Sequence, residues 1–278
     1  MTSVAEVQLA VESLWPAATA EDWDAVGLVA GDPADAVQRI LLAVDAVGAT
    51  AEEAVERSAD LLLVHHPLLL RGATSVAATT PAGRIITRLV RGRIALLAAH
   101  TNADAVDRGT SGELASMLGL VDVSPIVVNR VDPAKGLGRV GQLPEPLTLR
   151  ELVQRLAGIV PAAAGGLRAA GDPERLVERV AICGGAGDSL LREAAVISAD
   201  VYITSDLRHH PASDARERHE AGEGPALVDV SHWASESLWL RPAAEQLRQA
   251  LPGVEVIVSE IRTDPWDFAV PQEEQAWH

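Results

Sequence analysis

The 278-residue chain contains little cysteine, few aromatic residues and little positive charge. Its single cysteine, Cys183, excludes an intramolecular disulfide and any cysteine-rich zinc motif, and its neighbours favour a small core residue at a strand end. Aromatic residues make up 3% of the sequence, which disfavours the stacking platforms of RNA-binding sheets and single-strand channels. Lys and Arg number 23 against 39 Asp and Glu, so the formal charge of −16 also argues against a nucleic-acid partner.

Long apolar runs are missing as well. Every run falls well short of the ~20 residues that a membrane span requires, so no membrane partner is expected. Residues 1–20 contain acidic residues and no basic region of the kind that opens a secretory signal, which predicts a cytoplasmic protein. With 48% hydrophobic residues, the chain is long enough for one large or two ordinary α/β domains with a substantial core.

Predicted strands and helices alternate along the whole chain. The strands are expected at residues 39–44, 61–64, 94–99, 179–183, 201–203, 226–230 and 254–258. The helices are expected at residues 50–58, 81–90, 111–118, 189–197, 212–220 and 236–250. Such alternation predicts an α/β fold with mostly parallel sheets joined by helical crossovers.

The two halves of the chain resemble each other. Residues 40–60 have the same length and the same closing Ala-Asp pair as residues 180–200. His-His-Pro follows the next strand in both halves, and a His-x-x-x-acid pattern follows later in both. We infer that one α/β unit was duplicated, although ordinary βαβ spacing could imitate part of the pattern.

This duplication predicts a first α/β half at residues 1–131 and a second at residues 132–263, with a cleft between them lined by strand ends. The join is expected in the turn-rich stretch 132–136, and the segment 144–146 is the alternative. Residues 264–278 are polar and acidic, and they are expected to form a tail over the surface. His278 is a poor ligand candidate because chain termini fray.

The pair His65-His66 is the most informative motif, because it ends an apolar strand and precedes Pro67. Ligands of open α/β sheets bind at the carboxyl ends of strands. Further candidate ligands also follow predicted strands: His100 and Asp104, His209 and His210, and His232 with Glu236. Imidazole mixed with carboxylate suits Zn, Mn, Fe, Co or Ni rather than Ca.

Each of these residues has a simpler explanation when it is taken alone. A single histidine after a strand is more often packed and bonded to a backbone carbonyl. Asp104 could cap a helix, and Glu236 could favour the first turn of its helix. Their convergence on one predicted cleft favours a metal site, in which His65 and His66 could serve different ions and Glu236 could bridge them.

Several segments resemble the signatures of the Nif-three-like dinuclear metal-centre family, also labelled GTP cyclohydrolase 1 type 2. The segments are 59–68 (ADLLLVHHPL), 100–104 (HTNAD) and 231–236 (SHWASE), with further matches at 23–28, 184–187 and 204–206. The resemblance covers nearly the whole chain, in a short form without the domain that some members insert between the halves. Ala25, Ser205 and Ser231 depart from residues common in the family, and none of these is a ligand.

The resemblance implies two divalent ions bound by His65, His66, Asp104, His232 and Glu236. It also implies two interlocked α/β domains and a toroidal homo-hexamer with the metal sites facing an internal cavity. No other cofactor is expected, because the glycine-rich turn at 184–187 lacks the lysine of a Walker loop and a tight βα turn explains it equally well.

The function predicted first is a dinuclear metal-dependent hydrolase, in which two ions ~3.5–4 Å apart activate a water. That water could attack a purine ring carbon, as in GTP ring opening, or a phosphorus or carbonyl centre of a small-molecule or nucleotide substrate. His210 and His100 are candidate proton shuttles, and each could instead serve only packing. The alternative is a hexameric metal-binding scaffold or regulatory protein without significant turnover.

Overall fold

The computed structural model describes residues 1–270. Within them the strands are β1 (Thr2–Ser3), β2 (Gly27–Ala30), β3 (Ala36–Val37), β4 (Arg39–Asp45), β5 (Leu61–His66), β6 (Ala95–Ala98), β7 (Val121–Ser124), β8 (Val127–Val128), β9 (Gly136–Leu137), β10 (Arg139–Thr148), β11 (Arg168–Ala170), β12 (Leu176–Ala186), β13 (Val201–Ser205), β14 (Ala226–Val230) and β15 (Glu255–Val258). The helices are α1 (Val4–Leu14), α2 (Gly48–Glu56), α3 (Pro81–Gly92), α4 (Thr101–Ala105), α5 (Thr110–Leu118), α6 (Leu149–Ala157), α7 (Ala194–Ile197), α8 (His209–Glu220), α9 (His232–Ser237) and α10 (Leu240–Ala250). Short 3₁₀ turns lie at Ala17–Thr19 and Asp188–Leu190.

The first large sheet has the strand order β15-β4-β5-β6-β2, in which β2 alone runs antiparallel to its neighbour, at the edge. Its central strands are apolar on both faces, as expected for a parallel sheet covered by helices. Leu61 and Leu63 face one core with α1 and α10, whereas Leu62 and Val64 face the other core with α2 and α3.

The second large sheet has the order β11-β14-β13-β12-β10-β7. Strands β12, β13 and β14 are parallel, whereas β11, β10 and β7 pair antiparallel toward the edges. Helices α5 and α6 cover one face, and α7 and α8 cover the other. The predicted α/β class with mostly parallel sheets is confirmed, with the parallel strands forming the centre of each sheet.

The last helix and strand return to the first sheet. Strand β15 pairs in parallel with β4, so that Val256 lies beside Ile40. Ala243 and Leu247 of α10 are buried in the core beneath β4 and β5. Residues 240–258 therefore pack with the first sheet, although they follow the second in sequence. The domain boundary at residue 131/132 stays a prediction.

Two predicted helices differ from the observed ones. The helix expected at 236–250 is divided into α9 and α10, because Pro242 has no N–H to donate and is tolerated only in the first turn of a helix. The helix expected at 189–197 is reduced to a 3₁₀ turn and the four residues of α7, with Glu193 in an extended conformation between them. Among residues 1–270, no helix combines the length and apolar character needed to cross a bilayer.

The repeat proposed from the sequence is visible in the strand registers. Ile40 lies opposite Leu61 in the first sheet, and Val180 lies opposite Val201 in the second. The Asp60 carboxylate accepts from the backbone N–H groups of residues 38 and 39, and the Asp200 carboxylate accepts from those of residues 178 and 179. The same sequence spacing thus produces the same contacts in both halves.

Candidate metal centre

The candidate ligands lie at the carboxyl ends of parallel strands from both sheets. His66 ends β5, and His65 precedes it. Asp104 lies on the short helix that follows β6, whereas His232 and Glu236 lie on α9, directly after β14. The parallel strands of each sheet end at one edge, where ligands of such sheets bind. Contacts between residues of the two sheets show that these edges lie next to each other.

Glu236 is the meeting point of this cluster. Its Oε1 lies 2.9 Å from His232 Nε2 and 3.6 Å from His65 Nε2, and its Oε2 lies 2.9 Å from His66 Nε2. Asp104 Oδ1 lies 3.6 Å from His65 Nε2. The five residues expected to bind metal are therefore brought together, with one carboxylate in contact with three imidazoles.

Each imidazole is oriented by an acceptor at its Nδ1 atom. Asp45 accepts from His66 at 2.7 Å, and Asp206 accepts from His232 at 2.7 Å. The backbone carbonyl of Ala99 accepts from His65 at 2.9 Å. This arrangement fixes the rings with Nε2 pointing into the cluster, which is how carboxylates and carbonyls orient metal-ligating histidines.

Two buried atoms in the cluster show that a cation fits it. In the described part of the chain, His65 Nε2 has no hydrogen-bond partner, and Glu236 Oε2, although it lies 2.9 Å from His66 Nε2, accepts no hydrogen bond of good geometry. The Nε2 atoms of His66 and His232 are 3.2 Å apart. Buried polar atoms without partners are costly, and a cation held by these nitrogen and oxygen atoms removes that cost.

A glycine makes room for the cluster. Gly185, near the end of β12, has φ +73°, and a Cβ on it would lie 2.3 Å from Glu236 Oε1 and 3.2 Å from His232 Nε2. The glycine-rich turn noted in the sequence therefore contributes space beside the ligands. Ser235 on α9 donates to the carbonyl of His232 and accepts from the Gly185 N–H, which anchors the turn to the ligand helix.

The electrostatics of the cluster favour positive charge. Burial opposes protonation of His66, but Glu236 and Asp45 outweigh it and raise the pKa of His66 to about 10. Burial likewise opposes protonation of His232, yet Glu236 and Asp206 raise the pKa of His232 to about 11. Burial works to raise the pKa of Glu236, but the surrounding histidines hold it well below its usual range. Metal ligands must be deprotonated, so a divalent cation would replace protons at these imidazoles.

The two candidate proton shuttles have different surroundings. His100 lies near the cluster, with its ring centroid 5.1 Å from that of His65, and its Nδ1 contacts Asp24 at 2.9 Å. Its ring nitrogen forms a further potential ligand group with His65 and His66. His210 is exposed in the first turn of α8, beside His209, and within residues 1–270 it makes no hydrogen bond or ion pair with the cluster.

Three functional carboxylates were missed by sequence reasoning: Asp24, Asp45 and Asp206. Asp45 had a signal, because the parallel register of β4 and β5 places it directly opposite His66. Asp206 follows β13 with φ +55°, a conformation that aspartate tolerates better than most residues. Asp24 lies in the N-terminal segment that matched the family, and it accepts from the Thr101 N–H and hydroxyl as well as from His100.

The C-terminal segment ties the two halves together beside the cluster. Thr263 donates to the Asp45 carboxylate, and Ser231 donates to the Asp264 carboxylate. Ser231 also caps α9 by accepting from the N–H of Ala234. The serine that departs from the family pattern therefore has a structural role at the start of the ligand helix. The first residues of the predicted tail are fixed against the site, and residues 271–278, including His278, lie outside the described residues.

A cleft of about 590 Å³ opens beside the cluster. The cleft is lined by the two partly exposed candidate ligands His66 and His232, by the carboxylates Asp45 and Asp206 that accept from them, and by residues of the segment 263–269. Volumes of this size are typical of sites that take small molecules.

Comparison with known sequences identifies relatives along almost the whole chain. The model of the family described as Duf34/NIF3 (NGG1p interacting factor 3) matches residues 2–265. A GTP cyclohydrolase 1 type 2 homolog from Streptomyces coelicolor is 48% identical over 272 residues, covering 96% of this chain and 94% of the relative. A homolog of the same name from Mycobacterium tuberculosis is 36% identical over 372 aligned positions, which cover 95% of this chain and 97% of the relative. That alignment exceeds the 278 residues of this chain, so the mycobacterial relative carries residues with no counterpart here.

Solved structures show the same fold. A Staphylococcus aureus hypothetical protein superposes with a TM-score of 0.85 at 27% identity, covering 96% of this chain and 99% of that one. A Bacillus cereus protein related to NIF3 has a TM-score of 0.86 at 21% identity, with 96% and 99% coverage. Together with the match over residues 2–265, these similarities show that the chain belongs to the Duf34/NIF3 family.

Proposed function

We propose that the protein is a dinuclear metal-dependent hydrolase whose ligands are His65, His66, Asp104, His232 and Glu236. The observation that carries the proposal is the position of Glu236. Its two carboxylate oxygens face histidines from both halves of the chain at 2.9 Å, and it is almost fully buried. A buried carboxylate with each oxygen directed at a different imidazole suits a bridge between two cations.

The donor set favours Zn, Mn, Fe, Co or Ni, because imidazole nitrogen predominates over oxygen. When bound, two such ions supply an activated water that is nucleophilic near neutral pH. Asp45 and Asp206 hold His66 and His232 in the tautomer that presents Nε2 to the ions. Thr110 donates to the Asp104 carboxylate and orients it toward His65.

His100 is the residue best placed to move a proton. Its Nδ1 is held by Asp24 at 2.9 Å, and burial of Asp24 is outweighed by its bonds to His100 and Thr101, which hold the pKa of that carboxyl below its usual range. The hydrogen bond to Asp24 orients the His100 ring, and a ring nitrogen of His100 lies close to those of His65 and His66, where a proton can be passed to or from a bound substrate.

Substrate screening of protein with known metal content tests the proposal. Nucleotides including GTP, phosphate esters and cyclic amides would be offered to Zn-, Mn-, Fe-, Co- and Ni-loaded protein. We expect turnover that is lost in Glu236→Gln and retained in Glu245→Gln, a control on exposed α10 surface whose side chain is 62% accessible. Metal binding with only background rates in both forms would instead support a metal-binding scaffold or regulatory protein, the alternative function.

The GTP cyclohydrolase activity in the relatives' names belongs to those proteins, and here GTP is one candidate among the substrates. Further parts of the proposal are the interlocking of the two α/β domains, a homo-hexamer with the metal sites facing an internal cavity, and a cytoplasmic location. Mass measurement by light scattering at several protein concentrations tests the hexamer directly.

A further inference from the structure

Arg139 is a charged side chain in the interior of the protein for which the proposed chemistry has no use. It begins β10 of the second sheet, and it is only 2% exposed. Within residues 1–270, no other arginine or lysine is buried. A buried charge is costly unless it is paired and hydrogen-bonded, so the partners of Arg139 show which parts of the fold it holds together.

The Arg139 guanidinium bridges two segments that are distant in sequence. Its Nη1 donates to the backbone carbonyls of Gly136 and Gly138, at 2.7 Å each. Its Nη2 donates to the carbonyl of Val106 at 2.5 Å and to that of Ala105 at 3.2 Å. A guanidinium presents several donors in one rigid plane, which suits it to such a bridge. One side chain therefore fastens the segment before β10 to the segment that follows α4.

The segment held by Arg139 comes directly after a candidate metal ligand. Ala105 is the last residue of α4, and Asp104 precedes it. With only five residues, α4 is too short to be stable on its own, and the carbonyls at its end have no donors within the helix. Ala105 and Val106 are buried, and Arg139 supplies donors to both carbonyls. The place of Asp104 thus depends on a side chain of the second sheet.

Helix α4 lies where the chain crosses from the first sheet to the second. It follows β6 of the first sheet, whereas the next helix, α5, packs Leu114 and Leu118 into the core of the second. The start of α4 is tied to the first half, because the Thr101 N–H donates to Asp24. Its end is tied to the second half through Arg139. The ligand-bearing helix is therefore fixed from both halves.

We propose that Arg139 is a positioning residue for the candidate metal centre, which holds the end of α4 so that Asp104 and His65 can bind the same cation. Asp104 Oδ1 and His65 Nε2 are 3.6 Å apart. Such a spacing suits two ligand atoms that each lie roughly 2.1 Å from one zinc ion. The role concerns only one of the two proposed ions, because His66 and His232 lie on other elements. It rests on the proposed function, since Asp104 is one of the ligands assigned there.

The charge of Arg139 acts in the opposite direction to its hydrogen bonds. Burial lowers the pKa of the guanidinium, and the carboxylates Asp107 and Asp104 oppose this shift. A positive charge close to Asp104 repels a cation, so the loss of that charge alone would strengthen metal binding. The loss of the hydrogen bonds would weaken it. Lysine keeps the charge without the planar fork, so Arg139→Lys isolates the contribution of the hydrogen bonds.

Chelator competition with the Zn²⁺-loaded protein measures the affinity of each ion, and anomalous diffraction of crystals after partial removal of zinc shows which ion leaves first. In Arg139→Lys we expect the ion beside Asp104 to bind about tenfold more weakly or worse and to leave first. The ion beside His232 should keep its affinity. Arg248→Met is the matched control, because Arg248 donates to the carbonyl of Val256 on β15, at 2.6 Å, where there is no candidate ligand.

The other outcomes would overturn the positioning role. Equal affinities in the wild type and Arg139→Lys would do so and leave the dinuclear centre intact. An equal loss of both ions, or a loss that Arg248→Met shares, would assign Arg139 to the stability of the fold alone. Stronger zinc binding in Arg139→Met would assign it to electrostatics alone, and Arg139→Lys decides the question if Arg139→Met does not fold. A selective loss beside Asp104 in a protein without turnover would keep the positioning role and contradict the hydrolase.

Discussion

The two halves of the molecule share a scaffold and differ in what they carry at its edge. Strands β4, β5 and β6 pair in the same registers as β12, β13 and β14, and Asp60 and Asp200 hold equivalent backbone groups. The first half ends its strands with three histidines and Asp104. The second ends its strands with Asp206, His232 and Glu236. Repeated architecture therefore fixes where strand ends lie, and the chemistry is set by the few residues placed there.

The register also shows where the repeat stops. Ala95 and Ala226 occupy equivalent places in the third strand, because they pair with Leu61 and Val201. His100 is then equivalent to Ser231, and the ligand His232 lies one residue further along. The His-x-x-x-acid patterns of the two halves are therefore offset by one residue, and α9 delivers its ligands from a different position than α4.

The largest expected effect comes from removing the residue on which both halves converge. Glu236→Gln keeps the shape of the side chain but removes the charge that His65, His66 and His232 face. We expect metal content after dialysis to fall from two ions to fewer than one per chain, measured by elemental analysis. Glu245→Gln should keep full metal content, and unchanged content in Glu236→Gln would contradict a bridging role.

The space beside Glu236 can be tested through Gly185. In Gly185→Ala the new Cβ would lie 2.3 Å from Glu236 Oε1, so the carboxylate must move and metal affinity should fall. Gly222→Ala is the matched control, because Gly222 has φ +77° and a Cβ added there would meet nothing within 4 Å. Equal losses of metal in both variants would indicate that backbone strain, rather than the contact of the new Cβ with Glu236, lowers the metal affinity.

The orienting carboxylates allow the two halves to be compared directly. Asp45→Asn and Asp206→Asn each keep an acceptor for a histidine Nδ1 but remove its charge. Metal affinity should fall by roughly 10–100-fold, the usual range for such partners. The Asp45 side chain is 24% exposed against 60% for Asp206, so Asp45→Asn should have the larger effect because water screens the other charge more. Competition with a chelator measures both, and a larger effect for Asp206→Asn would contradict this explanation.

The smallest effects concern the shared scaffold. Asp60→Ala and Asp200→Ala each leave two backbone N–H groups without their carboxylate acceptor. We expect each variant to lower the free energy of unfolding by about 1 kcal/mol, and the two losses to be similar. Urea denaturation of the metal-free protein measures them, with Asp22→Ala as an exposed control. If only one of the two variants lost stability, the hydrogen bonds of Asp60 and Asp200 would differ in strength, which would contradict the equivalence of the two halves.

Much of the site follows from local sequence patterns. The apolar strand ending in His65-His66 places two imidazoles at a sheet edge, and α9 begins directly after β14 with His232 and Glu236 on successive turns. Those features predict both the class of fold and the cluster, because strand ends and helix starts are local properties.

Other features depend on contacts between distant segments. Asp45 and Thr263 are far apart in sequence and meet only because β15 returns beside β4. The divided C-terminal helix follows from Pro242, whereas its packing against the first sheet depends on which apolar surface remained uncovered. The grouping of Trp233 and Trp266 along one cleft is likewise a product of the fold.

Crystals grown with Zn²⁺ or Mn²⁺ and measured at the absorption edge of the metal provide the most direct test. Two anomalous peaks about 3.5–4 Å apart are expected, one on each side of the Glu236 carboxylate, with His65 and Asp104 on one and His66 or His232 on the other. A single peak, or peaks that do not contact Glu236, would contradict a dinuclear centre shared by the two halves.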